Sequence, residues 1–187
     1  MARAARITRD DIIAASVELV RTQGHESLNA RSLAAMLGCS TQPVLYHFAS
    51  MDEVRSTAYQ AIDELHTTYL MEGLETAADP LLQLGLNYVR FAHEESQLFR
   101  FLFQTNAFGG QDLTALVAAP EVGELVGVVA QEAGVDVARA RQVFLAIFVA
   151  AHGYASLLAN NALEYDETQV TDVLLAAYAG ALQMEGR

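Results

Sequence analysis

The sequence predicts an all-α protein, with an N-terminal three-helix head joined by a fourth helix to a larger helical body. Three observations predict it. Proline occurs only at positions 43, 80 and 120. No apolar–polar alternation of the strand type persists for five residues, and apolar residues recur at helical spacing in segment after segment. Two short helices around a glycine turn, with one helix before them and a longer one after, describe a helix-turn-helix.

Each element has its own signal. Thr8 and Asp11 form a capping box ahead of Ile13, Val17 and Val20, an inward stripe at i, i+4 and i+7. Gly24 closes that helix in a left-handed conformation. Asn29 caps a second helix through Leu33, Ala34 and Leu37, which Gly38 closes. Ser40 caps a third, with "GCS" as the turn and Pro43 as its third residue, where a missing N–H costs no helical bond. Ser50 and Glu53 cap a fourth helix running to about Glu75. The spacing then predicts helices over Leu81–Glu94, Gln97–Thr105, Leu113–Glu132 with a break at Pro120, Asp136–Asn161 and Thr168–Met184. Residues 1–50 are expected to form the head, 51–79 the connecting helix and linker, and 80–187 the body.

Composition narrows the function. The chain has 187 residues, one cysteine and a net charge of −12. A single Cys39 excludes a disulfide framework within the chain. The N-terminus lacks the apolar core of a secretion signal, and no run reaches the ~18 uninterrupted apolar residues of a membrane span. A cytoplasmic protein with no membrane partner is expected. Five scattered histidines give no metal-ligand spacing, and no phosphate loop, nucleophile elbow or triad spacing occurs. No metal, cofactor or catalytic residue is expected, and the chain is not expected to be an enzyme.

The charge is unevenly placed. Residues 1–56 balance six Arg against six acids, whereas residues 57–187 hold five Arg and seventeen acids, and the chain has no Lys. A neutral head with an Arg-bearing arm on an acidic body orients the head toward an anionic partner.

The segment "ITRDDIIAASVELVRTQGHESLNARSLAAMLGCSTQPVLYHFASMDEV" resembles the N-terminal domain of the tetracycline-repressor family along its whole length. The match is carried by Gly24, Leu28, Asn29, Leu33 with Ala34, Leu37 with Gly38, Ser40, Tyr46, His47, Phe48 and Ser50. The resemblance implies a homodimer formed through the last two helices. It also implies a double-stranded, palindromic operator and a body that takes a small-molecule effector. The expected function is a ligand-responsive transcriptional repressor, released from DNA by a small, mostly apolar molecule. The alternative is a relative that binds small molecules or proteins and has weak or lost DNA binding.

Within the third helix, about Thr41 to Phe48, Val44 and Phe48 face the head's core, leaving Thr41, Gln42 and Tyr46 for DNA. Gln42 suits adenine, and Thr41 or Pro43 suits a thymine methyl. Ser40, Tyr46 and His47 match positions of the family's DNA-facing motif, the last two at the phosphate backbone. Asn29 can cap its helix and meet a phosphate at once. Two departures weaken backbone contact: Met51 stands where many members have Lys, and Leu45 where many have Tyr. Arg3, Arg6 and Arg9 on the arm, with Arg31 and Arg55, are expected to compensate.

In the body, Phe91, Phe99, Phe103, Phe144 and Phe148 fit either an apolar effector pocket or an ordinary core. Asn87 and His152 are polar groups on apolar helices that need partners. For His152 these are a neighbouring helix or a ligand.

Overall fold

The computed structural model describes residues 7–105, 122–161 and 163–184. Among the described residues the regular elements are all helical. They are α1 (Arg9–Gln23), α2 (Ala30–Met36), α3 (Gln42–His47), α4 (Met51–Met71), α5 (Pro80–Glu94), α6 (Ser96–Phe103), α7 (Gly123–Ala133), α8 (Val137–Asn161) and α9 (Glu167–Gln183). Short 3-10 turns lie at His25–Ser27 and Leu74–Thr76. The stretch expected to be helical before Pro120 lies outside the described residues. The chain divides into two compact units, Met1–Thr68 with Glu95–Ala107, and Tyr69–Glu94 with Phe108–Arg187.

In the first unit, Thr8 opens α1 with a reciprocal box. Its Oγ1 accepts from the Asp11 amide at 3.1 Å, and the Asp11 carboxylate accepts the Thr8 amide at 2.8 Å. The buried face is Ile12, Ala15, Ser16, Leu19 and Val20. Ile13 and Val17, expected to point inward, are only half-buried. The helix is turned so that Ile12 and Leu19, seven residues apart, lead the core. Ser16 tolerates full burial because its hydroxyl donates to the Ile12 carbonyl at 2.7 Å.

Gly24 departs from expectation in detail. Its φ of 80° is positive, but its ψ of 165° is extended rather than left-handed helical. Its positive φ favours glycine, and a Cβ there would also lie 3.1 Å from the end of the Gln97 side chain of α6, which would have to move slightly. α6 packs on α1 within this unit. Arg21 Nε reaches both Glu95 carboxylate oxygens, at 2.9 and 3.1 Å. Behind that ion pair Leu98, Phe99 and Leu102 are fully buried, and Phe101 lies against the rings of His25 and Tyr59.

α4 begins after Ser50, whose Oγ accepts from the Glu53 amide at 3.1 Å. The Glu53 carboxylate closes on the Ala49 amide at 2.8 Å, one residue earlier than a capping box requires. Its buried positions Val54, Ala58, Ile62 and His66 follow the four-residue step of one helix face. His66 meets the edge of Phe103 at 5.2 Å. Burial lowers its imidazole pKa to about 4.

In the second unit α8 is the central helix, with α5, α7 and α9 packed on it. Its buried stripe is Ala140, Val143, Phe144, Ile147, Ala151, Ala155, Leu158 and Ala159. By length and composition α8 is apolar enough to cross a membrane, with a mean hydropathy of 1.6. Here that apolarity serves three helix contacts at once. α5 approaches α9 so closely that a Cβ on Gly85 would sit 2.8 Å from Leu174 Cδ1. Asn87 joins α5 to the end of α4: its Nδ2 donates to the carbonyls of Leu70 (3.0 Å) and Glu72 (2.8 Å). Its Oδ1 accepts from Gln83 at 2.8 Å. At the far end, Arg139 donates to the carbonyls of Ala181 and Met184, satisfying groups that the end of α9 leaves open.

Replacing Asn87 by Ala removes the donor to the part-buried Leu70 and Glu72 carbonyls and leaves a gap where a buried side chain stood. Urea denaturation is expected to show a loss of about 2 kcal/mol. His66 makes stability depend on pH. Its folded pKa lies below the unfolded 6.5, so its contribution is complete above pH 6.5 and is lost as pH falls toward 4. The total is roughly 3 kcal/mol. In denaturation series from pH 7 to 4, His66→Met is expected to lose less stability than the parent. Parallel curves would rule out His66 as the titrating group.

Candidate nucleic-acid interface and effector site

The head presents α3 to solvent along one side. Val44 and Phe48 are 1% and 3% exposed, whereas Leu45 and Tyr46 are 59% and 73% exposed. Ser40, Thr41 and Gln42 are exposed with them, and Pro43 is half-buried. The four-residue separation of Val44 and Phe48 anchors one face in the core and turns the other outward.

The start of α3 corrects the reading of Ser40 as its cap. The residue before the helix is Thr41, in a helical conformation and without a side-chain cap, and Pro43 is the second helical residue. The turn is correspondingly longer than "GCS". Leu37 ends α2, Gly38 takes a φ of 63°, and the Cys39 amide donates back to the Ala34 carbonyl at 2.9 Å. Proline and the backbone geometry of Thr41 explain the missing cap. Pro43 has no amide to offer at the second helical position, and the helical φ and ψ of Thr41 depart from the extended geometry from which a cap reaches the second or third.

Asn29 caps α2 as expected, its Oδ1 accepting from the amides of Arg31 (3.1 Å) and Ser32 (3.0 Å). Arg31 is exposed one turn further on. His47 is half-buried, with Nε2 3.0 Å from the Ile7 carbonyl. It ties the base of the N-terminal arm to α3, and Tyr46 stands edge-on to its ring at 5.1 Å. Arg3 and Arg6 lie outside the described residues.

Arg9 is not an arm residue. It begins α1, stacks over Phe48 at 4.6 Å and bonds Glu53 and Thr57 at 3.4 Å. Arg55 is likewise engaged, with Asp52 at 3.0 Å and the Leu28 carbonyl at 3.5 Å.

The residues proposed for an effector fall in both units. Phe99 and Phe103 belong to the first unit, their rings 4.9 Å apart. Asn87, Phe91, Phe144, Phe148 and His152 belong to the second. Phe91 is fully buried beneath Tyr69, and the polar atoms of Asn87 bond to backbone carbonyls and Gln83.

Three residues do come together. Phe144, Phe148 and His152 form a ladder along α8, with stacked rings 6.4 and 5.6 Å apart. His152 Nδ1 lies 2.8 Å from the Tyr88 hydroxyl on α5. Burial lowers the His152 pKa and raises that of Tyr88, so this contact joins two neutral groups. Tyr88 is the residue sequence reasoning missed. The only signal for it was that a half-buried imidazole needs a partner, and tertiary packing decided which.

The second unit also holds a cavity of about 320 Å³ between the start of α5, the end of α7, and α8 and α9. None of the seven residues proposed for an effector lines it. Asp79, Glu132 and Tyr178 supply its polar groups.

Comparison with known proteins agrees with the fold and the head. Residues 81–178, more than half of the chain, match the family described as "Tetracyclin repressor-like, C-terminal domain". The sequence is also 25% identical over 184 residues to an uncharacterized HTH-type transcriptional regulator of Mycobacterium tuberculosis, covering 96% of this chain and 84% of the relative. The regular elements of the described residues are all helices, the head carries a helix-turn-helix with an outward α3, and the body matches the family's C-terminal domain: the chain belongs to the tetracycline-repressor family of transcriptional regulators.

Proposed function

We propose that the protein is a cytoplasmic, homodimeric repressor that binds a palindromic operator and releases it when a small, mostly apolar effector enters the body. The observation that carries this reading is the division of α3, which seals Val44 and Phe48 into the head and leaves Gln42 and Tyr46 outside. Gln42 pairs with a base edge, Thr41 and Pro43 press on methyl groups, and Tyr46 meets the backbone. Asn29, Arg31 and the arm carrying Arg3 and Arg6 hold the phosphates. His47 acts through the arm by fixing Ile7.

An apolar face supports the dimer. Val149, Gly153 and Leu157 lie on the side of α8 opposite its buried stripe, with Val149 47% and Leu157 55% exposed. Val173, Ala176 and Gly180 form a similar exposed row on α9. Their small residues allow two helices to approach closely, and a two-fold axis through them matches a palindromic site. In the body, the Phe144–Phe148–His152 ladder offers an apolar wall, and its contact with Tyr88 a polar end.

A second reading, an effector-binding protein with weak DNA binding, draws on the absence of any charged residue from Gly38 to Met51. A salt series separates the two. The repressor should shift a fragment of its own upstream region at low salt, with affinity falling as salt rises. No shift on any neighbouring promoter selects the second reading.

Gln42→Ala is expected to relax base preference at one position, costing about 1–3 kcal/mol against the preferred base. Arg6→Ala should weaken all sequences alike and lower the salt slope by about one. Leu157→Arg should yield a monomer by sedimentation and abolish the shift at concentrations where the parent binds.

A further inference from the structure

The cavity between α5, α7, α8 and α9 has a chemistry of its own. Leu81, Ile147, Leu174 and Leu175 supply apolar wall. Its polar groups are two carboxylates, Asp79 and Glu132, and the Tyr178 hydroxyl, and no Arg or His lines it. Leu174, Leu175 and Tyr178 lie on a different face of α9 from Val173, Ala176 and Gly180, so the cavity does not compete with the proposed dimer face. At about 320 Å³ it lies within the size range of small-molecule sites.

The carboxylates and the phenol share one electrostatic environment. Burial and then Asp79 raise the Glu132 pKa, and burial, Glu132 and Asp79 raise that of Tyr178. A positive charge placed among them relieves that repulsion, whereas an anion adds to it. Asp79 has a second task, since its Oδ1 accepts the Leu82 amide at 2.9 Å at the start of α5. Its side chain is therefore held at the cavity mouth. The surrounding unit reinforces the preference. Its sequence carries fourteen carboxylates and four arginines, and two of those arginines are engaged, Arg90 with Glu167 and Arg139 with the end of α9. The resulting field concentrates cations near the unit.

We propose that this cavity is a binding site for a small organic cation, an amine on a compact apolar body, whose ammonium sits between Asp79 and Glu132 while its hydrocarbon lies against Leu81, Ile147 and Leu174. The Tyr178 ring borders the charge. The cavity is a different place on the second unit from the Phe144–Phe148–His152 wall, and it rests on the proposed function only for the consequence for DNA.

Three probes with the same body separate charge from shape: 4-phenylbutylamine, 4-phenylbutan-1-ol and 4-phenylbutyrate. Calorimetric titration of the full-length protein without DNA should rank the amine at least tenfold tighter than the alcohol, with no measurable binding of the acid. Glu132→Gln and Asp79→Asn should each weaken the amine about tenfold and leave the alcohol unchanged. Both keep side-chain size, and Asn still caps α5, so unchanged thermal melts certify the fold. Equal binding of amine and alcohol, no binding of the amine, or amine affinity unchanged in Glu132→Gln overturns the proposal. Release of operator DNA by the amine is measured separately. If the amine binds without moving DNA affinity, the site stands and its effector role fails. If DNA binds but the amine does not, the regulator stands and the site fails.

Discussion

The head depends on a helix that arrives from elsewhere in the sequence. α6 begins beside Glu95, seventy-four residues beyond its partner Arg21, yet it completes the core of the first unit. The ion pair is partly exposed and contributes modestly by itself. It fixes the position at which Leu98, Phe99 and Leu102 are buried, and burial of such side chains is worth about 1.5–3 kcal/mol each. Gly24 lies beside this contact, its positive φ favouring glycine and the end of the Gln97 side chain close by. Without α6, the face of α1 that it covers would be open to solvent.

α3 is short and carries no Asp, Glu, Lys or Arg. Six residues give little helical stability on their own, so its geometry comes from Val44 and Phe48 seated in the core. Its outward side carries amide, hydroxyl and apolar groups, at Gln42, Thr41, Leu45 and Tyr46. Arg9, stacked on Phe48 and bonded to Glu53, shows that a basic residue near a reading helix can serve the fold instead.

In the second unit, polar atoms placed among apolar helices act as fixed joints. Asn87 satisfies carbonyls near the end of α4, Arg139 does so at the end of α9, and Tyr88 meets His152 between α5 and α8. Each satisfies groups that would otherwise be costly to bury, and each sets the register of two helices that Leu and Ala alone would let slide. The exposed rows on α8 and α9 carry apolar and small residues instead, among them Val149, Leu157, Val173, Ala176 and Gly180.

Most of the fold was legible because its signals are local. Thr8 with Asp11, Asn29, and the four-residue spacing of Val44 and Phe48 place helices through bonds made within one or two turns. The head's motif was legible for the same reason. Local signals misplaced what depends on neighbours: Ile12 rather than Ile13 leads the core of α1, and Pro43 left the start of α3 to Thr41 rather than Ser40. The phenylalanines of the body were least legible, because phenylalanine at helical spacing reads the same in a core and in a pocket. The sequence alone determined the helices, the helix-turn-helix and the acidic balance of the body, all set by residues near one another in the chain or by composition. Only the tertiary structure decided that α6 supports α1, that His152 meets Tyr88, and that Asp79 and Glu132 border one cavity. Those contacts join positions tens of residues apart, and packing, not periodicity, brings them together.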